Sequence, residues 1–136
     1  MSGGRPESGP LIHHELCFGC GRQNLFGLLA ELEAAGAGRV AGRCFLKQDH
    51  QGPQRGVAHE GVVAAALSEA MSFACGDDMR AASVEVRLEG RVPVGEFLEV
   101  EAQVLDLPGA AFQASATGMV RDEPVASARG TYVGVR

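Results

Sequence analysis

Gly56-Val57-Ala58-His59-Glu60-Gly61 runs directly into Val62-Val63-Ala64-Ala65-Ala66-Leu67-Ser68-Glu69-Ala70-Met71-Ser72-Phe73-Ala74-Cys75, and this stretch decides the fold. A glycine-bounded loop carrying a histidine opens a segment that is apolar almost all round. That pattern predicts a helix over about 60–75, buried on most sides. Glu60 begins it and Glu69 interrupts it. A carboxylate in a buried apolar helix needs a partner or a chemical task. The helix N-terminus offers unpaired backbone N–H groups to an oxygen bearing negative charge. Donors at one end and a carboxyl further along are the parts needed to attack a carbonyl group.

Beyond Gly76-Asp77-Asp78 the period changes from helical to two. Apolar and polar residues alternate through 83–88 and 98–104, and again, with many small residues, through 112–120 and 125–135. Pro93-Val94-Gly95, Leu107-Pro108-Gly109 and Asp122-Glu123-Pro124 are the turns between them. This is the signature of an antiparallel meander with one buried face. Ahead of the helix, 28–33 and 39–45 form a hairpin across Ala34-Ala35-Gly36-Ala37-Gly38, and a polar loop spans 47–56. The expected fold class is α+β, a curved antiparallel sheet wrapped around one long central helix. Such a sheet leaves edges bare, so pairing with a second copy is expected.

The chain of 136 residues is long enough for one domain with a real core. That domain is expected over 11–136, behind a polar, Gly- and Pro-rich tail over 1–10 that reads as disordered and lacks the apolar core of a signal peptide. A net charge of −5 argues against a nucleic-acid partner, whose recognition needs a basic face. No apolar run is long enough to span a membrane, so a soluble, cytoplasmic protein is expected. Cys17-Phe18-Gly19-Cys20 is a C-x-x-C with His13 and His14 just before it. A structural zinc site usually needs a second ligand pair. Cys44 and Cys75 stand apart and no second C-x-x-C exists, so the sequence assigns no metal and no cofactor; the motif reads as a tight turn at the domain edge.

Taken together, His50-Gln51-Gly52, His59-Glu60-Gly61, Leu67-Ser68-Glu69-Ala70-Met71, Arg91-Val92-Pro93-Val94-Gly95 and the run Cys17-Phe18-Gly19-Cys20-Gly21 with Asn24 and Gly27-Leu28 resemble the hotdog-fold thioesterase superfamily. The likeness is greatest to its phenylacetate-pathway and 4-hydroxybenzoyl-CoA thioesterase branches, and it covers nearly the whole chain from about residue 17. It implies a homodimer or homotetramer with its sites at the subunit interface. It also implies an acyl-CoA or acyl-carrier-protein substrate, an oxyanion donor in the N–H after the loop histidine, and a carboxylate nine residues beyond that histidine. A hydroxyl on the next strand often assists. Here the residue after His59 is Glu60 where the family has glycine. The ninth residue on is Ser68, with the carboxylate one later at Glu69, and the assisting position falls at Ala81.

The candidate catalytic residues are therefore Glu69, Ser68, Glu60, His59 and Gly61; the candidate substrate-binding residues are His50, Gln51, Ser72, Ser83 and Arg55. Successive steps of 100° put Gly61, Ala64, Ala65, Ser68, Ser72 and Cys75 on one face of small side chains, either lining an acyl tunnel or allowing close packing. Glu69 borders that face. Partial burial is expected to raise its pKa toward neutrality and suit it to proton transfer, unless it pairs with Arg80 or Arg87. Glu60 is the other candidate carboxylate, or a partner of the helix dipole. Ser83 is expected on the same strand face as Ala81. Arg55, Arg80 and Arg43 are candidates for coenzyme A phosphates. Besides thioester hydrolysis, two further functions fit: binding of an acyl-CoA or small apolar ligand without turnover, and, last, a dehydratase, whose acid position falls on Ala64.

Overall fold

The computed structural model describes residues 9–106, 109 and 111–135; most of the proposed tail and part of the 107–109 turn lie outside them. Two strands, β1 (Glu31–Ala34) and β2 (Arg39–Phe45), precede a short 3-10 turn at Gln48–His50 and the helix α1 (Glu60–Cys75). Four strands follow: β3 (Met79–Leu88), β4 (Phe97–Leu105), β5 (Phe112–Val120) and β6 (Glu123–Gly134). They form one antiparallel sheet in the order β1-β2-β4-β5-β6-β3. The helix connection carries the chain from β2 to the far edge. There β3 pairs with β6, and its other side is a bare edge among the described residues.

The core is the helix on the concave face of the sheet. Val63, Ala66, Leu67, Ala70, Met71 and Phe73 are buried against inward residues such as Leu32, Val40, Leu98, Val100 and Tyr132. Alanine supplies much of this contact: Ala102, Ala114, Ala116, Ala126 and Ala128 are all buried. Small inward residues let the sheet close around the helix, and at Gly118 an added Cβ would sit 3.1 Å from Leu98. The opposite strip of α1 is less covered: Gly61 is exposed, and Val62, Ala64, Ala65, Ser68, Glu69 and Cys75 are half-buried.

Several boundaries differ from expectation for identifiable reasons. β1 starts at Glu31, not at 28, because the backbone of residues 28–30 pairs with the cysteine turn: Leu28 N–H donates to Phe18 O at 2.7 Å and Ala30 N–H to Gly19 O at 2.8 Å. β3 starts earlier, at Met79, because a bulge between Ala81 and Ser83 breaks the alternation visible in the sequence. Ala81 then pairs with Tyr132 and Ser83 with Thr131. Neighbouring residues of one strand point to opposite faces, so Ser83 and Ala81 do not share a face. β5 and β6 are joined by a tight turn whose central residues Arg121 and Asp122 both have positive φ, the geometry that matches strand twist.

Candidate functional site

The loop ahead of α1 is held by its own backbone. Gln51 Oε1 accepts the Gly56 N–H at 2.6 Å, the His50 carbonyl accepts the His59 N–H at 2.8 Å, and Ala58 N–H donates to Val92 O at 2.7 Å. His59 is the N-cap. Its Nδ1 accepts the Gly61 N–H at 2.8 Å, and its carbonyl accepts the Val62 N–H at 3.0 Å. Gly61 is thereby engaged by the cap. Glu60, the first helical residue, has no acceptor one turn back, and its N–H has no partner among the described residues. Beside it lies a cavity of about 160 Å³ walled by Val57, Ala58, Glu60, Val63, Leu88 and Val92. The Glu60 carboxylate is more than half exposed, 3.5 Å from His59 Nδ1.

Halfway along α1 the small residues are bonded to the end of the sheet. Ser68 Oγ lies 2.7 Å from the Tyr132 hydroxyl, which also reaches the Ser68 carbonyl at 3.2 Å. Burial is the main reason the Tyr132 pKa is pushed up to about 12. Ser72 is buried and donates to Met79 O at 2.8 Å. Both serines serve helix–sheet packing.

Glu69 points the other way, into the N-terminal segment. Its Oε2 is 2.9 Å from His13 Nδ1 and accepts the Cys17 S–H at 3.3 Å. Cys17 Sγ and Cys20 Sγ lie 3.7 and 3.6 Å from the same His13 nitrogen. The partner is thus a histidine and two thiols, not Arg80 or Arg87. Burial works against the carboxylate's charge, but the hydrogen bonds from His13, Cys20 and Cys17 outweigh it, so the Glu69 pKa is lowered. That is opposite to the expected rise, and it makes Glu69 a weak base. Along the helix, nine residues at about 1.5 Å each put Glu69 roughly 13 Å from Glu60, so one chain does not bring donor and Glu69 together.

The remaining candidates are dispersed. His50 is buried, caps the 3-10 turn by accepting the Lys47 N–H at 3.0 Å, and has its pKa lowered, first by burial. Its Nε2 has no hydrogen-bond partner among the described residues. Gln51 closes the loop as described. Arg55 is exposed at the loop tip and Arg80 on β3. Arg43 pairs with Glu31 at 3.1 Å and lies over the Phe97 ring. The His13–Cys17–Cys20–Glu69 cluster is the arrangement that sequence spacing did not reveal, because its fourth member comes from the central helix.

No protein-family model matches the chain, and no curated protein matches its sequence. Solved structures do match in shape. The thioesterase superfamily protein RHA08564 superposes with a TM-score of 0.79 at 24% identity over 88% of this chain; this chain covers 60% of RHA08564's length. PA5202 from Pseudomonas aeruginosa gives 0.66 at 22% identity, covering 74% of this chain and 83% of that one. The PaaI protein of the phenylacetic acid degradation operon of E. coli gives 0.71 at 15% identity, covering 80% and 81%. With the helix cradled by six antiparallel strands in this order, the chain has the hotdog fold.

Proposed function

We propose that the protein binds acyl thioesters of coenzyme A or an acyl carrier protein and hydrolyses them at the N-terminus of α1. The observation that carries this is the unpaired Glu60 N–H at the mouth of the largely apolar cavity. The thioester oxygen accepts from that N–H, whose strength grows as the oxygen becomes an oxyanion in the tetrahedral intermediate. The Glu60 carboxylate, free to reach solvent, takes a proton from the attacking water. Carbon–sulfur cleavage then releases the thiol, which leaves with that proton, and the carboxylic acid. Leu88, half exposed on the bare β3 edge, forms part of the cavity wall, so a second copy paired along β3 would complete the site in a homodimer or a dimer of dimers.

Thiol release from short, long and aromatic acyl-CoA esters tests this. Glu60→Gln is expected to lower kcat/KM by at least about 10²-fold, the effect of losing a general base. An intact Glu60→Gln variant alongside a dead Glu69→Gln would assign the base to Glu69 and overturn the reading. The second reading, acyl-ligand binding without turnover, is favoured by one observation: at the family's carboxylate position Ser68 is bonded to Tyr132. Saturable acyl-CoA binding in calorimetry, with no thiol released from any ester, would establish it.

A further inference from the structure

The cluster on the far side of the helix has a chemistry of its own. His13 Nδ1, Cys17 Sγ, Cys20 Sγ and one Glu69 carboxylate oxygen all lie within 4.8 Å of one another. Ligands about 2.0–2.3 Å from a tetrahedral zinc ion sit roughly 3.3–3.8 Å apart. The His13–Cys17, His13–Cys20 and Cys17–Glu69 separations are 3.7, 3.6 and 3.3 Å, and the His13–Glu69 pair is somewhat closer, at 2.9 Å. Among the described residues these four residues form the His/Cys/Asp/Glu group with this geometry.

The surroundings orient the donors. Ser72 Oγ gives its proton to Met79 O at 2.8 Å and so presents a lone pair to His13 Nε2 at 3.4 Å. In the metal-free protein Nδ1 donates to the Glu69 carboxylate; a metal ion on Nδ1 would leave the imidazole proton on Nε2, where the Ser72 oxygen would accept it. The ring is fixed by stacking on Phe73, 3.9 Å between centroids and 10° from parallel. His13 N–H donates to Cys20 Sγ at 3.1 Å and fixes the direction of that sulfur. Gly19 provides the space: a Cβ there would lie 2.3 Å from the Glu69 carboxyl carbon. Supporting hydrogen bonds of this kind hold ligands in metal centres. Cys20 is buried, and the His13 and Glu69 side chains are mostly shielded. A hollow of about 260 Å³ bordered by Ile12, His13, Phe73, Asp77 and Asp78 leads to the histidine side.

We propose that His13, Cys17, Cys20 and Glu69 bind one zinc(II) ion, a structural site clasping the N-terminal segment to the central helix. Two sulfurs, one imidazole and one carboxylate are a borderline-soft donor set suited to zinc. Four protein ligands fill the tetrahedron, so the ion holds structure and has no open position for chemistry. Binding displaces the two thiol protons to solvent, and the centre, Zn²⁺ with two thiolates and one carboxylate, carries one net negative charge. The site is independent of the hydrolysis proposed at Glu60.

The full-length protein, reduced and stripped with a chelator, is titrated with cobalt(II) and then with zinc(II). The expected result is one cobalt per chain, thiolate-to-cobalt charge-transfer absorption with tetrahedral visible bands, displacement by zinc, and a Tm that rises with zinc. Cys17→Ser, a half-buried position, is expected to abolish the charge-transfer signal from that thiolate and weaken binding by more than about 100-fold. Ser72→Ala, which keeps every ligand, is expected to weaken it about 10–100-fold. Gly19→Ala is expected to push Glu69 out of the cluster and weaken binding as well. Circular dichroism of each variant separates loss of site from loss of fold. Absence of thiolate-to-cobalt absorption in the folded, reduced wild type overturns the proposal, and so does a zinc affinity unchanged in both Cys17→Ser and Gly19→Ala.

Discussion

At the scale of single residues, Tyr132 is the most accessible test of the packing described. It is the only tyrosine in a chain without tryptophan, so tyrosinate absorbance reports on it alone. Its hydroxyl is closed off by Ser68, and burial pushes its pKa up to about 12 from 10.0. A raised pKa means the unfolded chain loses the proton first. The stability this contributes is full below pH 10 and drains away as pH rises toward 12. An alkaline titration should therefore show a midpoint near 12 while the protein stays folded, and Tyr132→Phe should flatten stability against pH in that window. A midpoint near 10 would mean that Tyr132 is not buried in solution. Ser68 and Glu69 show what sequence alone left undecided. They are neighbours on the helix, both half-buried, yet one bonds to β6 and the other to the cysteine turn, a choice set by residues 64 and 56 positions away.

At the scale of elements, the helix bounds, β2 and β5 were legible in the sequence because hydrophobic period and glycine punctuation agree there. The edges were not. The β3 bulge erased the alternation, and residues 28–30 pair with a loop instead of a strand. The helix start was legible in position, and the structure supplies its bonding: His59 caps through its ring, which removes Gly61 from the donors. Caps of this kind are worth ~1 kcal/mol. His59→Ala should thus lower the free energy of urea unfolding by ~1 kcal/mol, while His59→Asn, which retains an acceptor, should recover most of it. Equal losses in both would show that the ring acts through something other than capping.

At the scale of the whole molecule, β3 is a bare edge of the sheet among the described residues, with Val84 and Leu88 exposed along it. Long bare edges with apolar inward residues invite pairing. Val84→Glu is expected to shift the protein from dimer to monomer in light scattering without changing its circular dichroism; a dimer indifferent to this change would place the contact elsewhere, and a wild-type monomer would overturn the pairing itself.

The sheet's other end differs. There Leu11 N–H bonds to Leu32 O at 2.8 Å, so the segment clasped by His13 and the cysteine turn also lies along β1. A sheet with one sheathed border and one bare border can grow by a single step: two bare borders meet about a two-fold axis, and no template is left for a third copy. The N-terminal clasp would then act as a chain terminator for assembly, and loosening it would turn a self-limiting pair into a surface on which further copies can stack.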